Sequence, residues 1–426
     1  MSAIGAAFEP GPAPGAQGTG PALLQRGAAK LLNWLVAFWI FTGGLVLFDP
    51  SPYEISFLLL LPVALIGGFG LHRSTLGLLW IFVLFTPFAL IGAFQVRVEP
   101  LGDALVFVLV TVFLLFTAYF VANYVAEAAE RRMRLIVNAY TLIAVISALV
   151  GTLAYLGILP GAELFTRYDR AKAFFQDPNV YGPFLVLPAM FALQRLLLHR
   201  GWTTLWAGAV LLILAIGVFA SFSRAAWGHL AVSGGIVFAL CFVLEAGAIQ
   251  KVRMLLLSIV GVLVVVVAIG GLLSIPTVQK LFETRTASQD YDSGETGRFG
   301  RQGYAFDLAL EHPFGIGPLE FRHLRVIEEP HNTYVNVLHS YGWGGGIAYF
   351  SLVLITLFRA VKGLANSSPH RLLLIPLVAT FVPLAGEAAI IDTDHWRHYF
   401  LVVGLIWGVT AAMDRRSAAP APLPSR

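Results

Sequence analysis

From Met254 to Ile275 the chain reads MLLLSIVGVLVVVVAIGGLLSI, without one ionisable side chain. A run of that length has few fates. A hydrocarbon core takes roughly 20 apolar residues as an α-helix, and in lipid only a helix or a closed barrel satisfies its own backbone. The pattern recurs. Spanning helices are expected at 31–48, 55–71, 75–94, 103–123, 135–158, 180–198, 203–221, 225–245, 253–275, 333–359, 371–391 and 397–413. Charged residues make up only 12% of the chain, against about 25% in soluble domains. The expected fold is an all-α polytopic membrane protein of about 12 transmembrane helices, with a long external loop at 276–332 that carries a short amphipathic helix.

The flanks differ in kind. Residues 1–30 are rich in Gly, Ala and Pro and lack an apolar centre, so they read as a disordered tail rather than a signal peptide; 414–426 reads as a second tail. With both termini cytoplasmic, sixteen of the 28 Lys and Arg fall inside and twelve outside, six of the twelve in the one long loop. Setting that loop aside, the distribution obeys the positive-inside rule. A net charge of +4 and the absence of a basic, aromatic-rich patch argue against nucleic acid. Cys241 is the lone cysteine, so no internal disulfide forms and no structural zinc site is expected.

The outside cations defy the charge bias and therefore carry information. SFSRAAW (221–227) places Arg224 between two spans with almost no loop, and an arginine at that boundary usually faces a cavity or a partner. RYDRAKAFFQDPNVYG (167–182) gathers Arg167, Arg170 and Lys172 before Asp177-Pro178-Asn179, a capped helix start. TGRFGRQGYAFDLALEHPFGIGP (296–318) holds Arg298 and Arg301. A helix is expected over 301–310, with Phe306, Leu310, Ala305 and Ala309 forming a stripe able to rest on the membrane. PHNTYVNVLHSYGWGGG (330–346) opens the tenth span, with Asn332 or Thr333 as its cap and His331 at its N-terminus. The positive end of a helix favours neutral imidazole, the form that accepts a proton. His339 lies two turns deeper and reads as helix packing, and Gly342, Gly344, Gly345 and Gly346 permit close helix contact. DTDHWRH (392–398) is either a divalent-metal cluster of Asp392, Asp394, His395 and His398 or a self-neutralising ion network.

Arginine forks match phosphate oxygens with paired hydrogen bonds. A diphosphate on a lipid carrier would need such cations at the interface, and diphosphate leaves well once its charge is stabilised. The remaining requirement is a base for an acceptor hydroxyl, for which His331 is the candidate. Arg224, Arg298, Arg301, Asn332, Arg167, Arg170 and Asn179 are the candidate substrate-binding residues, with no metal or cofactor expected.

The chain resembles the O-antigen ligase and O-antigen polymerase superfamily of bacterial envelopes. The resemblance is carried, in order, by SRAAW, FFQDPNVYG, GR followed by LEHPFGIGPLEF, and HNTYVNVLHSYGWGGG, and spans roughly 30–413. It implies metal-independent transfer of a glycan from undecaprenyl diphosphate at the periplasmic face of the inner membrane. The acceptor would be lipid A core for a ligase, or a second lipid-linked glycan for a polymerase; an exopolysaccharide polymerase is equally compatible. It implies His331 as the base and Arg224 and Arg298 as the diphosphate-binding arginines. Substrates aside, the implied partners are membrane lipids.

Other classes make different demands. A transporter or flippase of lipid-linked sugars would line a path with charges midway through its helices, whereas here most charges sit at span ends, with Glu387 and Asp103 as possible exceptions. An intramembrane protease would need a facing Ser/His pair, and Ser340 and His339 are helix neighbours that do not face each other. A non-enzymatic envelope scaffold would be indifferent to His331.

Overall fold

A computed structural model describes residues 20–286, 294, 297–325 and 327–418. The outer parts of both expected tails, 1–19 and 419–426, lie outside the described residues. Every run read as a span contains helix: α1 (Gly20–Thr42), α2 (Pro52–Ile66), α3 (Leu76–Ala93), α4 (Leu101–Glu127) and α5 (Ala129–Tyr155) come first. The sixth run is split into α6 (Pro178–Phe184) and α7 (Val186–Leu198). Pro188 causes the split: it has no N–H for the Phe184 carbonyl, which accepts instead from the Tyr140 hydroxyl at 2.9 Å. Then come α8 (Trp202–Ala220), α9 (Arg224–Leu240), α10 (Ala248–Leu273), α11 (Pro276–Thr286), α12 (Arg298–Glu311), α13 (Thr333–Ala365), α14 (Arg371–Glu387) and α15 (Arg397–Ala418).

Eight stretches among the described residues are long and apolar enough to cross a membrane by themselves. The second expected span is shorter and earlier than its apolar run, because Ser51 and Glu54 form a capping box that starts α2 at Pro52. The long loop is also less irregular than expected: α11 occupies its beginning, and α12 extends a turn further back than 301–310. Apart from Met254, α10 buries none of its apolar residues, as expected of a helix surrounded by lipid.

Polar contacts collect at the two ends of the bundle. At one end Arg371 binds Glu245, Arg253 donates to the Leu196 and Leu197 carbonyls, and Asn123 accepts from the His72 N–H. At the other end the segments 43–51, 94–100, 156–177, 221–223, 297–332 and 388–396 meet. Arg397 bridges to Asp49 and Glu54 there, both at 2.7 Å. Between the ends, side-chain packing holds the helices. α15 lies along α4 at a Gly404-x-x-x-Gly408 step, where added Cβ atoms would sit 2.6 Å from the Ala118 carbonyl and 2.7 Å from Val125.

One spanning helix is deliberately irregular. Inside α13, Gly342 has φ 68° and ψ −173°, a conformation open essentially to glycine alone. The turn 312–317 docks into this kink: Trp343 N–H donates to the Pro313 carbonyl at 2.9 Å, and Ile316 N–H to the His339 carbonyl at 2.7 Å. Gly342 thus meets a loop, while Gly344 lies against Phe88 of α3, the close helix contact expected of this run. Gly342→Ala would place its Cβ against the Pro313 carbonyl. We expect it to lose at least about 2 kcal/mol from backbone strain, seen as a lowered Tm of the purified protein in lipid. An unchanged Tm would show that the kink is not fixed as described.

Candidate active site

The site is built around the start of α13. Asn332 is its N-cap, accepting from the N–H groups of Tyr334 (3.1 Å) and Val335 (3.2 Å). Thr333 is tied instead to the 388–396 segment: its N–H donates to the Ala388 carbonyl, and its hydroxyl meets the Ile391 carbonyl and Thr393. That stitching brings Asp392 to His331. Asp392 Oδ2 lies 3.0 Å from His331 Nδ1, with the two side chains 24% and 32% exposed. His331 takes a left-handed φ of 54°, unusual for a residue with a side chain and of the kind that collects at functional sites.

α12 closes over the same segment. Gln302 Nε2 donates to the His331 carbonyl at 3.1 Å, and Asn332 Nδ2 donates to Gln302 Oε1 at 3.4 Å. Arg298 and Gln302 are four residues apart and share a helix face, so Arg298, which opens α12, is on the face turned toward His331. Arg301 differs: it is 2% exposed and paired with Glu328. Ala305 and Ala309 pack inward, where Trp343 Nε1 donates to the Ala309 carbonyl, while Phe306 and Leu310 remain exposed. The expected stripe is therefore divided between protein and surface.

Two carboxylates anchor the external segment. Glu320 accepts from the N–H groups of Arg97, Val98 and Glu99. Glu99 in turn binds Arg322 and His323, each at 2.6 Å. Burial pushes the Glu99 carboxyl up, but the hydrogen bonds from His323 and Arg322 together outweigh it and hold it below the usual carboxylate range.

The 167–182 motif folds against the turn before α9. Thr166–Arg167 and Arg170–Ala171 form a small antiparallel hairpin, with Tyr168 and Asp169 both at φ 54°. Arg170, 4% exposed, donates to the Ser221 carbonyl and to Asn179 Oδ1, both at 2.7 Å. Arg170 and Asn179 thus lock this motif against the turn before α9. Arg167 lies on the surface, donating to the Gln176 carbonyl and resting against Tyr168. Arg224 is exposed at the first turn of α9, behind the Ser223 cap. One turn deeper, His229 lies 3.0 Å from Glu387 of α14, next to the Ala388 carbonyl that receives Thr333. α9 and the His331 segment therefore brace the same end of α14. Glu387 sits at the end of its helix and Asp103 in the first turn of α4, so neither is a mid-span charge.

The 392–398 cluster disperses. Asp392 serves His331, His395 bonds Thr111 at 2.9 Å and packs on Phe107, His398 is buried among Phe184 and Trp396, and Asp394 is buried nearby. Among the described residues no group of three His, Cys, Asp or Glu side chains is arranged to hold a metal ion. His339 is likewise buried, against Phe321, as packing predicts. Asp392 and Gln302 are the residues whose parts the sequence did not disclose. Glu329, two residues before His331, is a third. Burial pushes its carboxyl up to about 8, with Asp392 and Asp394 adding like charge.

The model of the O-antigen ligase family matches residues 209–350. The matched stretch takes in Arg224, Arg298, Arg301, His331 and Asn332, and stops short of Asp392. No curated protein matches the chain. The match takes in SRAAW, LEHPFGIGPLEF and HNTYVNVLHSYGWGGG, three of the motifs on which the resemblance rests.

Glu329 makes stability depend on pH. Its folded value, about 8, lies above the ordinary 4.5, so the folded state holds the proton more tightly. The stabilisation is complete below about 4.5 and fades as pH rises through about 8. Denaturation followed across this window should show a fall that Glu329→Gln flattens. Identical pH slopes for the two proteins would contradict it.

Proposed function

We propose that this O-antigen ligase-type membrane protein transfers a glycan from undecaprenyl diphosphate to an acceptor hydroxyl, with His331 as the base. The supporting observation is the His331–Asp392 pair. A carboxylate only accepts hydrogen bonds, so Asp392 fixes the ring hydrogen on Nδ1 and leaves the Nε2 lone pair for the acceptor. As the acceptor oxygen attacks the anomeric carbon, its proton passes to Nε2. The glycosyl–oxygen bond breaks, and its electron pair leaves with undecaprenyl diphosphate.

The leaving diphosphate is assigned to Arg224 and Arg298. Each opens a helix, α9 and α12, so each guanidinium is joined by the positive end of a helix dipole. Arg298 is preferred to Arg301 because Arg301 is buried against Glu328 whereas Arg298 shares the face of Gln302. Arg170 and Asn179 act as positioning residues for the turn that presents Arg224. On this reading the polar end that holds His331 is periplasmic and both termini are cytoplasmic. The acceptor is lipid A core, for a ligase, or a second lipid-linked glycan, for a polymerase of O-antigen or exopolysaccharide. The placement of Glu387 and Asp103 at helix ends favours this enzyme over a transporter of lipid-linked sugars.

The test is transfer by the purified protein in lipid, with an undecaprenyl diphosphate-linked glycan and with or without lipid A core. His331→Ala should lose about 100-fold or more in turnover, the range of general-base catalysis, while still binding donor. Arg224→Lys keeps the charge but loses the fork and should fall at least about tenfold. Normal transfer by either variant would overturn its assignment, and product on lipid A core versus longer lipid-linked chains separates ligase from polymerase.

A further inference from the structure

Beside the His331–Asp392 pair, on the far side of Asp392, lies a cavity of about 340 Å³ that the mechanism above does not use. Glu329, Asp392 and Asp394 all line it, beside the amides of Gln176 and Asn336. Asp394 is 2% exposed, and its Oδ2 is buried without a hydrogen-bond partner. The same is true of both Glu329 carboxyl oxygens and of Asp392 Oδ1, the oxygen not given to His331. Buried polar atoms are nearly always satisfied, so a set of orphaned acceptors around one open space points to a ligand that supplies donors. The neighbouring cation does not neutralise them, since Arg397 is committed to Asp49 and Glu54. His395 is committed to Thr111. The rest of the wall is aromatic, from Phe107, Phe175 and Trp396.

We propose that this cavity is a sugar subsite, in which Asp394, Glu329 and Asp392 accept hydrogen bonds from the hydroxyl or ammonium groups of one residue of the glycan substrates, against the aromatic wall. This deepens the transferase reading and rests on it. The volume lies at the small end of ligand pockets, which run from about 300 to 1,000 Å³, so it seats a single ring rather than a chain. The absence of a metal-holding arrangement among these acids favours an organic donor over a cation. Above about pH 8, where Glu329 is ionised as well, the three carboxylates also exclude a sugar that carries a carboxylate. Asp392 would then touch both the base and the sugar, coupling occupancy of the subsite to the orientation of His331.

Saturation-transfer NMR on the wild-type protein in nanodiscs, with methyl glycosides of a neutral hexose, an amino hexose and a uronic acid, tests this. The neutral or amino sugar should receive saturation and the uronic acid none. Above about pH 8, where Glu329 is ionised, Asp394→Asn and Glu329→Gln should each weaken binding about tenfold, the scale of a hydrogen bond to a charged group. Two variants guard against a single folding defect. His331→Ala should still receive the sugar, with its affinity shifted by the coupling through Asp392, so a failure of the catalytic assignment leaves this result standing. Competition assigns the source: the signal should be displaced either by undecaprenyl diphosphate-linked glycan or by acceptor. Saturation of all three sugars alike, of none, unaltered binding in both acid variants, or displacement by neither substrate would overturn the proposal.

Discussion

A backbone N–H or C=O in hydrocarbon has no water to turn to, so each must find a partner within the protein. That constraint sets the plan of this molecule. Regular helix fills the membrane-length segments, and irregular backbone gathers at the ends. The chemistry then has to be at an end too. A histidine with a left-handed backbone, two helix N-termini bearing arginines, and a buried acidic cavity could not be assembled in mid-helix without stranding main-chain groups. An exception inside a span, the Gly342 kink, is filled by the Pro313–Ile316 turn, whose backbone supplies the missing partners.

The external segment behaves as part of the scaffold rather than as a tether. Glu320 caps three consecutive N–H groups of the 94–100 loop, Glu99 holds Arg322 and His323, and Arg301 is paired with Glu328. These contacts fix α12 over the start of α13. Gln302 then reaches the His331 carbonyl and Asn332. The same logic explains why clustered cations outside need not all bind substrate. Arg170 and Arg301 hold elements together, whereas Arg224 and Arg298 stand at helix openings.

The spans were legible because lipid imposes a length and a polarity that leave a mark on every segment. Helix starts were legible where a capping residue announces them, as at Asp177 and Asn332. His331 stands out in the sequence because an ionisable residue at the edge of a span is costly unless used. Asp392 was present in the sequence as one member of a mixed cluster, but its partner is 61 positions away. Only the pairing of Thr333 with the 388–396 segment sets that register. Arg298 and Arg301 look alike in sequence, and what separates them is helix phase: Arg301 and Gln302 are neighbours, about 100° apart around α12. The glycines at 342–346 suggested close helix packing, which Gly344 makes with Phe88, but not that Gly342 would receive a loop.

The account turns on which nitrogen of His331 carries the hydrogen. Nitrogen-15 NMR of histidine-labelled protein in lipid, assigned by the loss of one signal in His331→Ala, measures this directly. The account predicts a neutral ring protonated at Nδ1 and bare at Nε2, with that preference lost in Asp392→Asn. A ring protonated at Nε2, or one indifferent to Asp392, would contradict it.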